Sequence, residues 1–215
     1  MERLTAGPAV HDLLRVAEPD ALVPVTGTQV AAWVMPSLGA APWVVVRRAP
    51  RAADGALPVG VRGRTRSERV GAWLLPDRVA RRLTPEELPG RLPSLPGDRR
   101  LAVPALGALD RVRDALTPFQ LGWGPGGSVG FELATGLATA RPASDLDLVV
   151  RAHTPLPRTV AVRLASTLAA LPVRVDTQLE TPLGGVSLVE YARDEGPVLL
   201  RTVHGPRLVT DPWRP

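Results

Sequence analysis

The stretch Gly124-Pro125-Gly126-Gly127-Ser128 is followed, after sixteen intervening residues, by Asp145-Leu146-Asp147-Leu148. The glycines allow a tight turn, and a helix that begins at the serine would point its first backbone N–H groups at an anion. In the strand predicted for the second stretch, the two aspartates share one face and the two leucines share the other. Together the stretches predict a strand, a glycine turn, a short helix and a second strand.

The aspartates of the second stretch suit a metal site. Asp145 and Asp147 repel each other unless a cation lies between them or one of them is protonated. Mg²⁺ prefers hard oxygen ligands, often one or two carboxylates together with substrate phosphates. The polar face of the strand predicted at 173–179 adds Asp176, a third metal ligand or a general base toward a hydroxyl. With the Gly126–Ser128 turn on the phosphates, these residues predict a triphosphate site that uses Mg²⁺.

The same residues allow other interpretations. An Asp-x-Asp pair alone is also typical of a solvated strand face. Gly122-x-Gly124-x-x-Gly127, with Asp145 about twenty residues on, fits the dinucleotide-binding fingerprint. That fingerprint needs one acid at the ribose, whereas this chain has two at alternate positions. The loop-like composition of 135–144 also leaves room for only a short helix, so we favour the triphosphate site.

Composition excludes several classes of site. The chain has no cysteine, which excludes disulfides, thiol catalysis and Cys-ligated zinc. It also has no lysine, which excludes a Walker-type phosphate loop and a Schiff base. The net charge is +5, but only 4% of the residues are aromatic. Nucleic-acid binders usually combine a basic patch with exposed aromatics, so we expect a polyanionic small molecule and no nucleic acid.

The hydropathy pattern predicts no membrane segment. No run of about 18 apolar residues occurs, which is the length that a spanning helix needs. Met1-Glu2-Arg3 leads into no apolar segment of the kind that signal peptides carry. We therefore expect a cytoplasmic protein.

The order of predicted elements indicates an α+β fold with two domains. Segment 89–104 is rich in Pro and Gly and is predicted to be a linker without regular structure. It would join an N-terminal α+β domain at 1–88 to a C-terminal domain at 105–215, whose mixed sheet is flanked by helices. Predicted strands lie at 43–46, 58–61, 70–75, 119–123, 145–150, 173–179 and 198–203. Predicted helices lie at 77–83 (a turn or more), 106–116, 128–135, 158–171 and 187–193, with a short one starting at Thr84.

Four arginines, Arg62, Arg64, Arg66 and Arg69, follow the strand predicted at 58–61. Arginine binds phosphate in a bidentate manner, so Arg62, Arg66 and Arg69 are candidate substrate contacts. The same residues could instead dock an acidic partner protein or form a solvated basic loop. Near the start of the chain, the adjacent His11 and Asp12 form either a site pair or a local structural contact.

The Gly-Ser turn followed by Asp-x-Asp resembles the signature of the nucleotidyltransferase superfamily, although the gap between them is longer than usual. The string Gly127–Gly136, GSVGFELATG, with Ser144–Leu148, SDLDL, more specifically resembles the phosphoribosyl-dephospho-CoA transferases of malonate decarboxylase, also called holo-acyl-carrier-protein synthases. Further agreeing stretches extend the resemblance over nearly the whole chain. They are His11–Leu14, Pro58–Gly63, Asp176–Pro182, Leu199–Thr202 and Gly205-Pro206.

The resemblance implies a reaction. The phosphoribosyl-dephospho-CoA group would pass from 2′-(5″-triphosphoribosyl)-3′-dephospho-CoA to a serine of the malonate decarboxylase acyl carrier protein, with release of pyrophosphate. Asp145 and Asp147 would hold Mg²⁺, the Gly127-Ser128 turn would bind the β- and γ-phosphates, and Asp176 would be the third ligand or base. Two alternatives stay open: another Mg²⁺-dependent nucleotidyltransferase that moves a nucleotide from an NTP to a small-molecule or protein hydroxyl, and a non-catalytic binding module.

Overall fold

The computed structural model describes residues 7–25, 31–65, 67–193 and 196–214. The chain forms two compact units, Met1–Thr84 and Pro85–Pro215. Both combine a sheet with helices, which confirms the predicted α+β class. Within the described ranges, no helix has the length and hydropathy needed to cross a bilayer.

The first unit is built on a six-stranded sheet with strand order β2-β5-β4-β3-β1-β6, in which all pairs are antiparallel. Short 3-10 turns lie at Pro19–Ala21 and Pro76–Arg78. The strands and the helix are β1 (Leu13–Val16), β2 (Leu22–Pro24), α1 (Val34–Ala40), β3 (Trp43–Val46), β4 (Leu57–Arg62), β5 (Arg69–Leu74) and β6 (Val79–Leu83).

The core of the first unit lies between α1 and one face of this sheet. Alternate strand positions supply the apolar side chains, as the period of two in a strand requires. The core residues are Leu14, Val16, Val34, Leu38, Val44, Val46, Leu57, Val59, Val61, Ala72 and Leu74. Burial of each large aliphatic side chain contributes about 1.5–3 kcal/mol.

Asp12 anchors the chain ahead of β1. Its carboxylate is fully buried and accepts hydrogen bonds from Arg82 Nε at 2.6 Å and from the Ala9 amide at 2.8 Å. His11 precedes it in the left-handed region, with φ of 76°. Asp12 therefore holds this segment against β6, and the two roles expected of the His11–Asp12 pair stay predictions.

The helical turn predicted at 77–83 is wrong. Val79–Leu83 form β6, which pairs with β1 so that Leu13 faces Leu83 and Arg15 faces Arg81. Only the preceding Pro76–Arg78 turn is helical, and it is of the 3-10 type. A strand of five residues carries little periodic signal, so the sequence of this segment shows only a weak preference for a strand. Its pairing with β1 decides the structure.

The second unit is built on a mixed six-stranded sheet with order β12-β11-β10-β9-β8-β7. Strands β8 and β9 are parallel and are joined through α6, and all other pairs are antiparallel. This confirms the predicted mixed sheet flanked by helices. The elements are α2 (Gly97–Ala102), α3 (Pro104–Gly107), α4 (Leu109–Leu116), β7 (Trp123–Pro125), α5 (Gly127–Thr135), β8 (Leu146–Arg151), α6 (Arg158–Ala169), β9 (Val175–Thr181), β10 (Gly184–Ser187), α7 (Leu188–Arg193), β11 (Val198–Thr202) and β12 (Gly205–Val209).

Segment 89–104, predicted to lack regular structure, is mostly helical and belongs to the second unit. A 3-10 helix spans Pro89–Ser94, and α2 and the start of α3 follow it. Two of its prolines, Pro89 and Pro104, occupy first helical turns, where a missing N–H costs nothing. Arg91 Nε also donates to the Leu133 carbonyl at 2.8 Å. These two prolines therefore start helices.

Three further predictions are displaced or incomplete. The strand predicted at 119–123 lies at Trp123–Pro125, after a 3-10 turn at Thr117–Phe119. The strand predicted at 198–203 is β11, and it forms a hairpin with β12, which was not predicted. Strand β10, which begins with two glycines, was not predicted at all.

The end of the chain packs back onto the second unit around Tyr191. Its hydroxyl donates to the Leu156 carbonyl at 2.7 Å, and its ring meets Trp213 edge-on with centroids 5.2 Å apart. The indole N–H of Trp213 donates to the Ala152 carbonyl at 2.6 Å. Burial raises the pKa of the Tyr191 hydroxyl above its ordinary value.

Candidate active site

The parallel pair β8–β9 brings two predicted site carboxylates side by side. Asp147 is the register partner of Asp176, and both are exposed. Leu146 and Leu148 flank Asp147 on the buried face, as the predicted alternation requires. Partners in neighbouring strands lie about 4.8 Å apart across the sheet. The structure thus places Asp147 and Asp176 together on one solvent-facing surface.

The glycine turn lies directly against Asp147. The Gly126 amide donates to the Asp147 carbonyl at 2.8 Å. Gly127 has a φ of +53°, in the region that favours glycine, and a Cβ at this position would overlap the Asp147 carboxylate. The turn and the Asp-x-Asp strand, separated by sixteen residues in the sequence, are therefore in contact.

Helix α5 begins at this turn, as the sequence predicted, and ends at Gly136 with a left-handed C-cap. Gly126 is its N-cap residue and has no side chain with which to cap the helix. The first-turn N–H groups of such a helix are not bonded within the helix and carry a partial positive charge. An anion beside Asp147 and the turn would meet these donors.

Ser128 lies in the first turn of α5 and contacts the loop that leads into β8. Its Oγ donates to Ser144 Oγ at 3.4 Å, and its carbonyl accepts from Thr139 Oγ1 at 2.9 Å. Ser144 Oγ in turn accepts from the Arg141 amide at 2.9 Å. Ser128 thereby joins α5 to the loop, and its predicted contact with phosphate stays a prediction.

Glu132 and Arg99 hold this loop in place and were not foreseen. Glu132 is only 1% exposed, and its carboxylate accepts from Arg99 Nε at 2.9 Å and Nη2 at 3.0 Å. It also accepts from the amides of Thr139 at 2.9 Å and Ala140 at 2.8 Å. The bonds to Glu132 raise the pKa of the Arg99 guanidinium. Glu132 is the one charged residue in the otherwise apolar segment 129–134, and this was the feature of the sequence that could have indicated a buried ion pair.

The contacts of Glu132 and Arg99 with the loop account for the long gap between the Gly-Ser turn and the Asp-x-Asp strand. Residues 136–144 fold back onto α5 through Glu132, so the extra length does not separate the turn from the strand. Arg99 Nη2 closes the arrangement by donating to the Ala140 carbonyl at 2.8 Å.

Asp145 lies just before β8 and pairs with an arginine. Its Oδ2 is 3.7 Å from Arg174 Nη1, and the two side chains are 44% and 79% exposed. An ion pair with this exposure contributes at most about 1 kcal/mol. Asp145 can therefore exchange Arg174 for another cation at little cost.

The fit to a metal ion rests on the two adjacent carboxylates. Among the described residues, no group of three or more His, Asp or Glu side chains is arranged to hold a metal. Asp147 and Asp176 are register neighbours, whereas Asp145 faces Arg174. Two carboxylates suit Mg²⁺, which keeps several waters and shares its ligands with phosphates. The metal-binding role of the three aspartates stays a prediction.

Sequence comparison decides the family of this chain. A protein-family model for the phosphoribosyl-dephospho-CoA transferase MdcG C-terminal domain matches residues 94–212. The family model for the MdcG N-terminal domain matches residues 9–85. The chain belongs to the MdcG family. This confirms the resemblance drawn from the Gly127–Gly136 and Ser144–Leu148 strings.

Curated relatives agree over nearly their full lengths. The phosphoribosyl-dephospho-CoA transferase of Pseudomonas aeruginosa PAO1 is 43% identical over 99% of this chain and 97% of its own. Those of Azotobacter vinelandii and Klebsiella pneumoniae are 43% and 39% identical, over 96% and 98% of this chain and 95% and 98% of theirs. No solved structure matches the chain significantly. This MdcG family member is therefore a transferase.

A second set of polar residues continues the face of Asp147 and Asp176 along β8 and β9. Gln178 Nε2 donates to Glu180 Oε1, and Glu180 is the register partner of Arg151. Arg151 Nε lies 2.7 Å from Glu86 Oε1. The register confirms that Asp176, Gln178 and Glu180 share one face, as the alternation predicted.

The predicted arginines lie in the first unit of this MdcG family member. Arg62 and Arg69 end β4 and begin β5 as register partners, and Arg66 lies outside the described residues. In the connecting loop, the Thr65 amide donates to Glu68 Oε2 at 2.8 Å, and this bond lowers the pKa of Glu68. Contact of these arginines with substrate stays a prediction.

Proposed function

We propose that the enzyme transfers the phosphoribosyl-dephospho-CoA group from 2′-(5″-triphosphoribosyl)-3′-dephospho-CoA to a serine of the malonate decarboxylase acyl carrier protein, with release of pyrophosphate. Family membership and the names of the curated relatives support the group transferred. The observation that carries the chemistry is the packing of the Gly127 turn against Asp147, with Asp176 beside it on the next strand.

The proposed reaction is a displacement at phosphorus. The carrier serine oxygen attacks the α-phosphorus of the donor and forms a new P–O bond there. The bond from this phosphorus to the oxygen that bridges to the β-phosphorus breaks, and pyrophosphate leaves with the electron pair. Asp176, an exposed carboxylate next to Asp147, is the candidate acceptor of the serine proton.

The remaining groups bind the triphosphate. The first-turn amides of α5 offer hydrogen bonds to the β- and γ-phosphates, which the helix dipole also favours. Asp147, together with Asp145 or Asp176, would hold Mg²⁺. When bound, this ion would offset the charge of the triphosphate and of the leaving pyrophosphate.

The test is a transfer assay with the full-length enzyme. The apo carrier is incubated with the triphosphoribosyl donor and MgCl₂, and the carrier mass and released pyrophosphate are measured. We expect the carrier to gain one prosthetic group, and a carrier whose acceptor serine is replaced by Ala to gain none. A parallel reaction supplies ATP or GTP in place of the donor. Nucleotidyl transfer from these, with no reaction of the triphosphoribosyl donor, would establish the alternative nucleotidyltransferase and reject the proposal.

A further inference from the structure

The positive charge of the chain is concentrated in the first unit. Residues 1–84 contain twelve arginines against seven acidic residues, whereas residues 85–215 contain fourteen of each. The net charge of +5 therefore belongs entirely to the first unit. The unit that carries Asp147 and Asp176 is balanced.

Part of this charge lies on one face of the first sheet, opposite the core and α1. On β1, Leu14 and Val16 point into the core, so Arg15 points to the other face. The same alternation applies on β4, where Val59 and Val61 are core residues and Arg62 is not.

Two like-charged pairs form across the strands of this face. Arg15 on β1 is the register partner of Arg81 on β6. Arg62 on β4 is the register partner of Arg69 on β5. Like charges directly opposite each other destabilise an antiparallel pair, so these arginines do not serve the stability of the sheet.

A fifth arginine lies between the strands on the same face. The Arg47 side chain runs along Gly60 and Gly71, which are themselves register partners. A Cβ at Gly71 would overlap the Arg47 guanidinium. The two glycines thus leave room for an arginine on the sheet. We call Arg15, Arg47, Arg62, Arg69 and Arg81 the arginine face.

Most of these side chains have no anionic partner of their own. In the part of the chain that the structure describes, Arg15, Arg47, Arg69 and Arg81 form no salt bridge, and all four are exposed. The neighbouring Arg82, by contrast, is bonded to the buried Asp12. These four arginines of the face therefore present their charge to solvent.

We propose that the arginine face is the docking surface for an acidic surface of the acceptor protein that receives the prosthetic group. This inference rests on the proposed function, which requires a protein acceptor. The two arginine pairs belong to strands β6-β1 and β4-β5, with β3 between them. With strands about 4.8 Å apart, the face is about 19 Å wide. A folded protein covers this width, whereas one triphosphate group does not reach both pairs.

Charge complementarity of this kind acts on the encounter of two proteins. It raises the association rate and makes that rate sensitive to salt. The arginine face should therefore lower the KM for the acceptor protein and leave the KM for the donor unchanged.

The test compares two double variants with equal changes in charge. Arg15→Glu/Arg81→Glu reverses one pair of the face. Arg201→Glu/Arg207→Glu is the matched control, because both residues are exposed on β11 and β12 of the balanced unit. Kinetics are measured with the apo carrier subunit varied at saturating donor, then with the donor varied, at low and high salt. Calorimetric titration of each enzyme with the apo carrier, without donor, measures docking independently of turnover.

We expect the KM for the carrier to rise about ten-fold or more in Arg15→Glu/Arg81→Glu and to lose its dependence on salt. The KM for the donor should not change, and the control should stay within about two-fold of wild type. Arg62→Gln/Arg69→Gln should also raise the carrier KM. Because it changes different strands, agreement between the two variants separates loss of docking from misfolding of the first.

Three results would overturn the docking surface: an unchanged carrier KM, an equal effect in the control, or a rise in the donor KM alone. Binding of a DNA duplex but not of the carrier by the wild-type enzyme would also overturn it. Absence of transfer by the wild-type enzyme would reject the proposed function instead. In that case the titration still decides, since carrier binding by wild type that Arg15→Glu/Arg81→Glu loses supports the docking surface.

Discussion

Gly127 and Asp147 occupy adjoining space: the Asp147 carboxylate lies where a Cβ at position 127 would be, and the Gly126 amide donates to the Asp147 carbonyl at 2.8 Å. The φ of +53° at Gly127 independently favours glycine. Gly127 thus begins α5 and leaves room for the carboxylate of Asp147, a predicted site residue. A phosphate bound at this turn would lie next to Asp147.

Gly127→Ala should disrupt the site more than the fold. The left-handed backbone costs a non-glycine residue about 1–2 kcal/mol, and the new methyl group must displace the Asp147 carboxylate. We expect transfer activity to fall about a hundred-fold or more, by analogy with the loss of one oriented hydrogen-bond donor. Gly97→Ala is the control, because nothing lies within 4 Å of a Cβ there. Equal activities of the two variants would contradict this role of Gly127.

Asp147→Asn and Asp176→Asn should strongly reduce catalysis without unfolding the protein. Both side chains are exposed, so stability should change by no more than about 0.5 kcal/mol. We expect kcat to fall about a hundred-fold or more in each. If Asp176 is a metal ligand, its variant should need a higher Mg²⁺ concentration for half-maximal activity, whereas loss of a general base should leave that concentration unchanged. Asp110→Asn, on the exposed side of α4, is the control.

The pairing of Asp145 with Arg174 gives a separate test of the third aspartate. If Asp145 is a ligand of Mg²⁺, Asp145→Asn should raise the Mg²⁺ concentration needed for half-maximal activity. Arg174→Gln should leave that concentration unchanged or lower it, because it removes the competing cation 3.7 Å away. A parallel loss of activity in both variants would show that the ion pair itself is what matters.

Tyr191 should control the stability of the enzyme in alkali. Burial raises its pKa in the folded state, so its contribution is complete below its ordinary pKa of about 10 and is lost as the pH rises through the folded value. The chain has no lysine or cysteine and only one tyrosine, so no other side chain titrates near that pH. Tyr191→Phe should lower the free energy of unfolding by about 1 kcal/mol at neutral pH, because it removes the hydrogen bond to the Leu156 carbonyl. The same variant should lose less stability than wild type as the pH rises. Urea unfolding at neutral and alkaline pH measures both effects, and parallel declines in the two proteins would contradict the prediction.

The sequence was most informative where structure is local. Strands β3, β4 and β5 follow from short apolar runs and β8 from alternation. Helices α5 and α6 follow from their predicted helical segments, and the C-cap at Gly136 from a glycine stop. The meeting of Asp147 and Asp176 also follows from alternation, given a parallel pair.

Features that depend on distant partners were missed. Strand β6 forms because β1 pairs with it, and the helices within 89–104 pack against α5 through Arg91 and Arg99. The sequence offered Arg62 and Arg69 as possible docking residues, but it did not add Arg15 and Arg81, because cross-strand register brings these two together from 66 positions apart. The buried contact of Glu132 with Arg99 is the clearest case, since 33 positions separate the two residues.

That contact supports the last prediction. Glu132→Ala leaves Arg99 and two loop amides without their acceptor, and breaking a buried ion pair costs about 3–5 kcal/mol. We expect this loss in urea unfolding, with a smaller loss for Glu132→Gln, which keeps one acceptor oxygen. The double variant with Arg99→Ala should be less destabilised than the sum of the single variants. The loop places Ser144 against Ser128, which is predicted to bind the phosphates. Glu132→Gln should therefore also lower kcat while the enzyme stays folded. Stability within about 1 kcal/mol of wild type for Glu132→Ala would show that the loop is held by other contacts.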